Sequence, residues 1–105
     1  MAELLEQQQN EDKRYLEFLR VESMSLGLYT LPAGGEDLQQ PHSEDEIYYV
    51  VSGKAKIQIA DEAYPVQAGS VVFVEKHVDH KFFDIEETLT TVVFFAPPEG
   101  SQRET

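Results

Sequence analysis

The chain contains no cysteine, and this absence removes several kinds of chemistry at once. Disulfide bridges, thiolate metal ligands and cysteine nucleophiles are all excluded as a basis for its fold or function. Histidine is scarce as well, so any imidazole chemistry has to use His42, His77 or His80. A chain of 105 residues is expected to fold as one domain around a single core.

Basic residues are also few, since eight lysines and arginines stand against 20 aspartates and glutamates, for a formal net charge of -12. A surface of that charge repels phosphate backbones and anionic lipids, so nucleic acid and membranes are not expected partners. The same acidity predicts that most carboxylates are solvated surface groups, and we expect this of Glu44, Asp45, Glu86 and Glu87. A carboxylate therefore needs a positional argument before it is assigned a chemical role.

Long apolar runs are missing. The longest, such as Val71 to Val74 and Val92 to Ala96, have the length of strands and are far shorter than a membrane span. The N-terminal residues carry neither the basic start nor the apolar stretch of a secretory signal. We therefore expect a soluble cytoplasmic protein.

What the chain does contain is a series of short apolar segments separated by turn residues. Alternation is clearest where Ala55, Ile57 and Ile59 are interleaved with polar residues, which is the period of a half-buried strand. Roughly eight such segments follow one another without a convincing helix, and Pro65 marks one of them as an edge strand. This pattern predicts an all-β, antiparallel barrel or sandwich over residues 15–98, flanked by polar segments at 1–14 and 99–105.

His42 and Glu46 are an even number of residues apart, so an extended chain would place both on one face. If that face is the barrel interior, it buries an ionised carboxylate, and a divalent cation would compensate the charge. The alternative is an exposed loop, because Pro41 and the pair Glu44–Asp45 are typical of loops. The local sequence does not decide the role of His80 either, since a lone histidine beside aromatic residues is more often a packed residue than a ligand.

The stretch from Gly35 to Gly53 resembles the first of the two motifs of the cupin family. That motif has a glycine, a His-x-His pair, a glutamate and a closing glycine. In this resemblance His42 matches the second histidine, Glu46 the glutamate and Gly53 the closing glycine. The run from Leu26 to Pro97 as a whole looks like a small bacterial single-domain cupin. The resemblance implies a double-stranded β-helix, or jelly roll, with a metal site inside the barrel.

The stretch from Gly69 to Asp84 resembles the second cupin motif, and His80 stands at the position of its histidine. The turn of that motif departs from the family pattern, because Glu75 and His77 replace its proline and glycine. Asp84 likewise replaces an asparagine. We interpret His77 as a turn residue and not as a ligand.

Gln40 stands where the family has its first histidine. The resemblance therefore implies a divalent metal held by His42, Glu46 and His80, with the amide oxygen of Gln40 as a weaker ligand. Two histidines and one carboxylate with open positions suit non-haem iron(II), which we favour, and zinc, manganese, nickel and copper are the alternatives. Glu46 is in addition a candidate base.

The resemblance implies three kinds of function, and fold alone does not choose among them. We favour a dioxygenase-like oxidoreductase that acts on a small molecule. The alternatives are a metal-dependent isomerase, epimerase or lyase for a hydroxy or keto substrate, and a non-catalytic module that binds or senses a small ligand. We also expect a homodimer, with the apolar strand Tyr15 to Leu19 as the candidate interface.

Overall fold

The computed structural model describes residues 14–37 and 43–100, and the regular secondary structure in these ranges is entirely β-strand. The strands are β1 (Tyr15–Arg20), β2 (Ser25–Leu31), β3 (Asp45–Ile59), β4 (Glu62–Gln67), β5 (Val71–Val74) and β6 (His80–Ala96). They pair in the order β1-β2-β6-β3-β4, every pair is antiparallel, and β5 also pairs with β3. No helix in the described ranges is long and apolar enough to cross a membrane. The predicted all-β, antiparallel fold is confirmed.

The two long strands β3 and β6 pair with each other along almost their whole length. The sequence pattern predicts a break in each of them, in β3 at Gly53, but the structure has two continuous strands instead. The pairing passes through a series of register shifts between Val50 and Lys56. Such bulges bend and twist a strand without ending it, so a glycine that looks like a terminator lies inside the strand.

Gly53 is required at the bend of β3 for two separate reasons. Its φ of 100° lies in the left-handed region that favours glycine. A Cβ atom at this position would also lie 2.3 Å from the carbonyl oxygen of Thr88 on β6. The two backbones therefore approach each other more closely here than any side chain permits.

The interior face of the sheet can be read from the alternation of burial along β3. Glu46, Tyr48 and Val50 are buried, whereas Ile47 and Tyr49 are 40% and 43% exposed. Tyr48 and Val50 thus share the inward face of Glu46, and Tyr49 points to the other face, as the two-residue period of a strand predicts. The core on the inward face comprises Leu31, Tyr48, Val50, Ala55, Ile57, Val66, Val74, Phe82, Ile85, Leu89, Val93 and Phe95.

The strands β1 and β4 stand at the two ends of the strand order, so each has one described neighbour. Pro65 lies on β4, opposite Lys56, and the prediction of an edge strand there is confirmed. On β1 the register shifts between Glu17 and Leu19, and Phe18 and Leu19 are 37% and 42% exposed. Among residues 14–37 and 43–100, the outer edge of the first strand therefore has no partner strand, and apolar side chains lie beside it.

Replacing Gly53 by alanine should destabilise the protein strongly. We expect Gly53→Ala to lower the free energy of unfolding by about 3 kcal/mol or more, because left-handed strain adds to the clash with Thr88. Gly69→Ala is the matched control, since Gly69 has a φ of 93° but nothing within 4 Å of an added Cβ. Urea unfolding of both variants measures the difference, and equal losses would show that the close approach at Gly53 is unimportant.

The homodimer remains a prediction that the open edge of β1 makes testable. We expect analytical ultracentrifugation at micromolar concentration to show a species of twice the chain mass, and Leu19→Lys to dissociate it by placing a charge at the apolar edge. The control is Val71→Lys, the same change at an exposed position on β5 (67%). A wild-type protein that sediments only as a monomer would contradict the prediction.

Candidate functional site

Glu46 on β3 and His80 on β6 meet inside the barrel. Oε2 of Glu46 lies 3.4 Å from Nε2 of His80, and each side chain is 1% exposed. In the sheet, however, His80 pairs with Ile59 at the opposite end of β3 from Glu46. A straight β3 would separate Glu46 from Ile59 by about 40 Å, at ~3.3 Å per residue. The curl of β3 and β6 is therefore what assembles the site.

The ring of His80 is held in one orientation by its neighbours. Nδ1 lies 2.9 Å from the carbonyl oxygen of Val78, so Nδ1–H donates there and carries the proton of the neutral ring. Nε2 then faces Glu46 and, at 3.1 Å, the hydroxyl of Tyr48. Tyr48 is itself fixed by an edge-on contact with Phe82, with ring centroids 5.0 Å apart. A neutral imidazole fixed through its other nitrogen is the form that binds metals in proteins.

The surroundings of His80 favour positive charge. Burial lowers the pKa of His80, but the Glu46 carboxylate, the Val78 carbonyl and the charge of Asp37 raise it, and the net pKa lies above the ordinary value of 6.5. The same field that stabilises a proton on His80 would stabilise a metal cation between His80 and Glu46.

Asp37 is a site residue that the sequence analysis does not identify. Its carboxylate is 8% exposed and accepts two hydrogen bonds, from the Tyr29 hydroxyl at 2.7 Å and from the Phe82 backbone N–H at 2.9 Å. It therefore fixes the strand position two residues after His80. No motif marks it, and the one sequence signal is an acidic residue just after the turn at Gly34.

Glu44 corrects an expectation, because it is buried and not solvated. It is 1% exposed, Ser43 donates a hydrogen bond to Oε2, and Oε1 is buried with no hydrogen-bond partner among residues 14–37 and 43–100. Glu44 lies two residues before Glu46 and therefore points to the same inward face. An argument from overall acidity cannot detect this. Glu86 and Glu87 are exposed as expected.

His77 stays outside the site. It is exposed, has a φ of 66°, and lies in the turn where the Val78 N–H donates to the Glu75 carbonyl oxygen at 3.2 Å. The left-handed φ explains why the family pattern has glycine at this point. The interpretation of His77 as a turn residue is confirmed.

The other two predicted ligands, His42 and Gln40, lie outside the described residues. Within the described part of the chain, no three histidine, aspartate or glutamate side chains are grouped so that they could hold a metal ion. Glu46 and His80 supply two donors, a carboxylate oxygen and an imidazole nitrogen directed at each other in a dry interior. The chemistry of this pair fits a divalent cation that takes further ligands from elsewhere.

A cavity lies away from this pair, between β4 and β5. It has a volume of about 680 Å³ and is lined by residues that include Ile57, Tyr64, Val66 and Val72. Ile57 and Val66 belong to the core, so the cavity reaches the interior between two strands that both pair with β3. Glu46 and His80 are not part of its lining.

Comparison with known proteins identifies the family of this chain. Residues 27–96 match the family model described as "Cupin domain". The chain is 52% identical over 89 residues to an uncharacterized protein of Streptomyces coelicolor, and the match covers 85% of each chain.

Two solved structures are similar to the fold. A RmlC-like cupin family protein with a double-stranded β-helix fold from Methanocaldococcus jannaschii has a TM-score of 0.71 and 18% identity, over 82% of this chain and 84% of that one. KdgF from Halomonas sp. has a TM-score of 0.71 and 16% identity, over 84% and 89%. At these identities the likeness shows the fold alone, and the predicted double-stranded β-helix is confirmed.

Removing the charge of Glu46 should lower the pKa of His80. In chelator-treated protein we expect an NMR titration to place the pKa of His80 above 6.5, and Glu46→Gln to bring it down, because burial is then opposed by fewer negative groups. A raised pKa means that the ion pair stabilises the fold below about pH 6.5 and that this stability is lost as the pH rises through the folded-state pKa. Glu86→Gln, at an exposed position, is the control, and an unchanged His80 in Glu46→Gln would contradict the assignment.

Proposed function

Because the chain belongs to the cupin family, we propose that it binds a divalent metal inside the barrel through His42, Glu46 and His80 and uses it on a small molecule. The observation that carries the proposal is the buried pair formed by Glu46 and His80, 3.4 Å apart. A cupin fold supports a metal-binding, small-molecule role in general, and the ligand set is the finer part of the proposal.

The electrostatics of the pair supports a cation more than it supports a structural ion pair. Isolating a carboxylate from water is costly unless an opposite charge lies close by. A protonated His80 supplies that charge only below its pKa, which is raised above 6.5, whereas a bound divalent cation supplies it above that pKa as well. The nearby Asp37 carboxylate, which raises the pKa of His80, would add to the attraction for a cation.

The third strong donor in the proposal is His42, which matches the first cupin motif, with Gln40 as a weaker ligand. Two imidazoles and one carboxylate form the facial set of non-haem iron(II) oxygenases and leave positions open for other ligands. We therefore propose an iron(II)-dependent, dioxygenase-like oxidation. The ion would supply Lewis acidity and redox chemistry when bound.

The chain's own residues have separate roles in this proposal. Val78 holds the His80 ring through its carbonyl oxygen and keeps Nε2 available to face the ion. Without the ion the Tyr48 hydroxyl donates to this nitrogen at 3.1 Å, and with the ion on Nε2 it would lose that acceptor. The packing of Tyr48 against Phe82 keeps the ring in the wall of the site in both states. The apolar core on the same face excludes water, which strengthens the interactions of charged groups within the site. Glu46, besides being a ligand, is the one candidate base of the proposal.

Elemental analysis of tag-free protein purified without chelator tests the proposal. We expect about one metal ion per chain, and at least about tenfold less in His80→Ala and in His42→Ala, because each removes a strong donor. His77→Ala is the matched control and should retain the metal, since His77 lies in an exposed turn.

The element and the reaction then separate the alternatives. Iron with O2-dependent turnover supports the oxidoreductase, and zinc with O2-independent turnover supports an isomerase or lyase. Wild-type protein that carries no metal and takes up none on reconstitution would overturn the proposal and leave a metal-free ligand-binding module.

A further inference from the structure

Tyr15 has a buried hydroxyl that makes no hydrogen bond to any described residue. Buried polar groups are almost always paired, because an unmade hydrogen bond in a dry interior is destabilising. Phenylalanine would fill the same space without this loss. The hydroxyl at position 15 therefore needs an explanation other than stability.

The ring of Tyr15 is held in place by three contacts on the inward face. It lies so close over Gly27 on β2 that a Cβ atom there would be 2.2 Å from the ring. It also makes edge-on contacts with Phe95, at 6.1 Å between centroids, and with Tyr29, at 6.5 Å. Glycine at position 27 thus makes room for the ring, and the packing fixes the hydroxyl oxygen over Gly27, 2.3 Å from where a Cβ atom would lie.

The hydroxyl lies at the end of the barrel that holds Glu46. Phe95, on which the Tyr15 ring packs, is directly opposite Glu46 in the pairing of β3 with β6. Burial, and then the charges of Glu17, Glu99 and Glu46, raise the pKa of Tyr15 above its ordinary value. The phenol therefore keeps its proton and acts as a hydrogen-bond donor.

The buried carboxyl and imidazole side chains of the described residues are Asp37, Glu44, Glu46 and His80, and no lysine or arginine is buried with them. Two of these carboxyl groups act on the site, Glu46 by direct contact with His80 and Asp37 by raising its pKa, and they offset the charge that a divalent ion would bring. An organic anion would therefore gain little in this interior, whereas an uncharged ligand could use both a metal and a hydrogen-bond donor.

We propose that the Tyr15 hydroxyl donates a hydrogen bond to an oxygen atom of an uncharged carbonyl or hydroxyl compound that binds beside Glu46 and His80. This inference rests on the proposed metal-binding function and adds a substrate class and a positioning residue to it. Gly27 is also required for this role, because any larger residue would displace the Tyr15 ring that carries the donor.

The test uses zinc-loaded protein and two small probes of similar size, hydroxyacetone and glycolate, with dissociation constants taken from NMR titrations. We expect hydroxyacetone to bind more tightly than glycolate. We expect Tyr15→Phe to weaken hydroxyacetone binding by about 2- to 12-fold, the worth of one hydrogen bond, and to leave zinc content unchanged. Tyr49→Phe, on the outward face, is the control and should change neither quantity.

Thermal unfolding of the same variants provides a second readout. If the hydroxyl is kept for a ligand, Tyr15→Phe in the absence of probe should melt at or above the wild-type temperature, by up to about 8 °C. A lower melting temperature would mean that the hydroxyl has a stabilising partner in the protein and would overturn the inference.

Unchanged hydroxyacetone binding in Tyr15→Phe, or tighter binding of glycolate by the wild type, would also overturn it. Failure of the wild type to take up zinc is a different result, because it overturns the metal-binding function. The same titrations on zinc-free protein then decide whether Tyr15 contacts a ligand.

Discussion

The pairing of β3 with β6 is the interaction on which the rest of the structure depends. The two strands remain bonded along almost their whole length while both curl, and the curl places His80, near one end of β3, against Glu46 near the other. Gly53 and the register shifts around it allow the bend without loss of pairing. The site therefore depends on the barrel, because Glu46 and His80 lie near opposite ends of β3 and come into contact only when the strands curl.

Negative charge is the second theme, because carboxyl groups lie inside the barrel as well as on its surface. Asp37, Glu44 and Glu46 bring three carboxyl groups into the interior, and the one buried basic group among the described residues is the imidazole of His80. Asp37 is satisfied by the Tyr29 hydroxyl and the Phe82 N–H, so its role is to hold strands in place. Glu46 is left as the carboxylate that faces an imidazole, and this pair is where a cation would be most stabilised.

Local patterns were sufficient for part of this arrangement. Strand parity predicts that Tyr48 shares the face of Glu46, and the missing N–H of Pro65 predicts an edge strand. Parity also places Glu44 on the face of Glu46, and the expectation of a solvated Glu44, which rests on overall acidity, is the one that is wrong. Other features depend on which strands become neighbours, and long-range register decides this. They are the hydrogen bonds that Asp37 accepts from β2 and β6 and the continuity of β3 through Gly53. The facing of Glu46 and His80 follows from family motifs and not from any local period.

The distance along the chain between paired residues also affects the order in which the structure forms. A fold dominated by β3–β6 pairing relies on contacts between residues far apart along the chain, so we expect it to fold slowly and this pairing to close late. Glu46 and His80 come within reach of each other only after that closure. A cation bound between Glu46 and His80 would therefore stabilise a contact that is absent from the folding transition state. It would slow the unfolding rate and leave the folding rate almost unchanged.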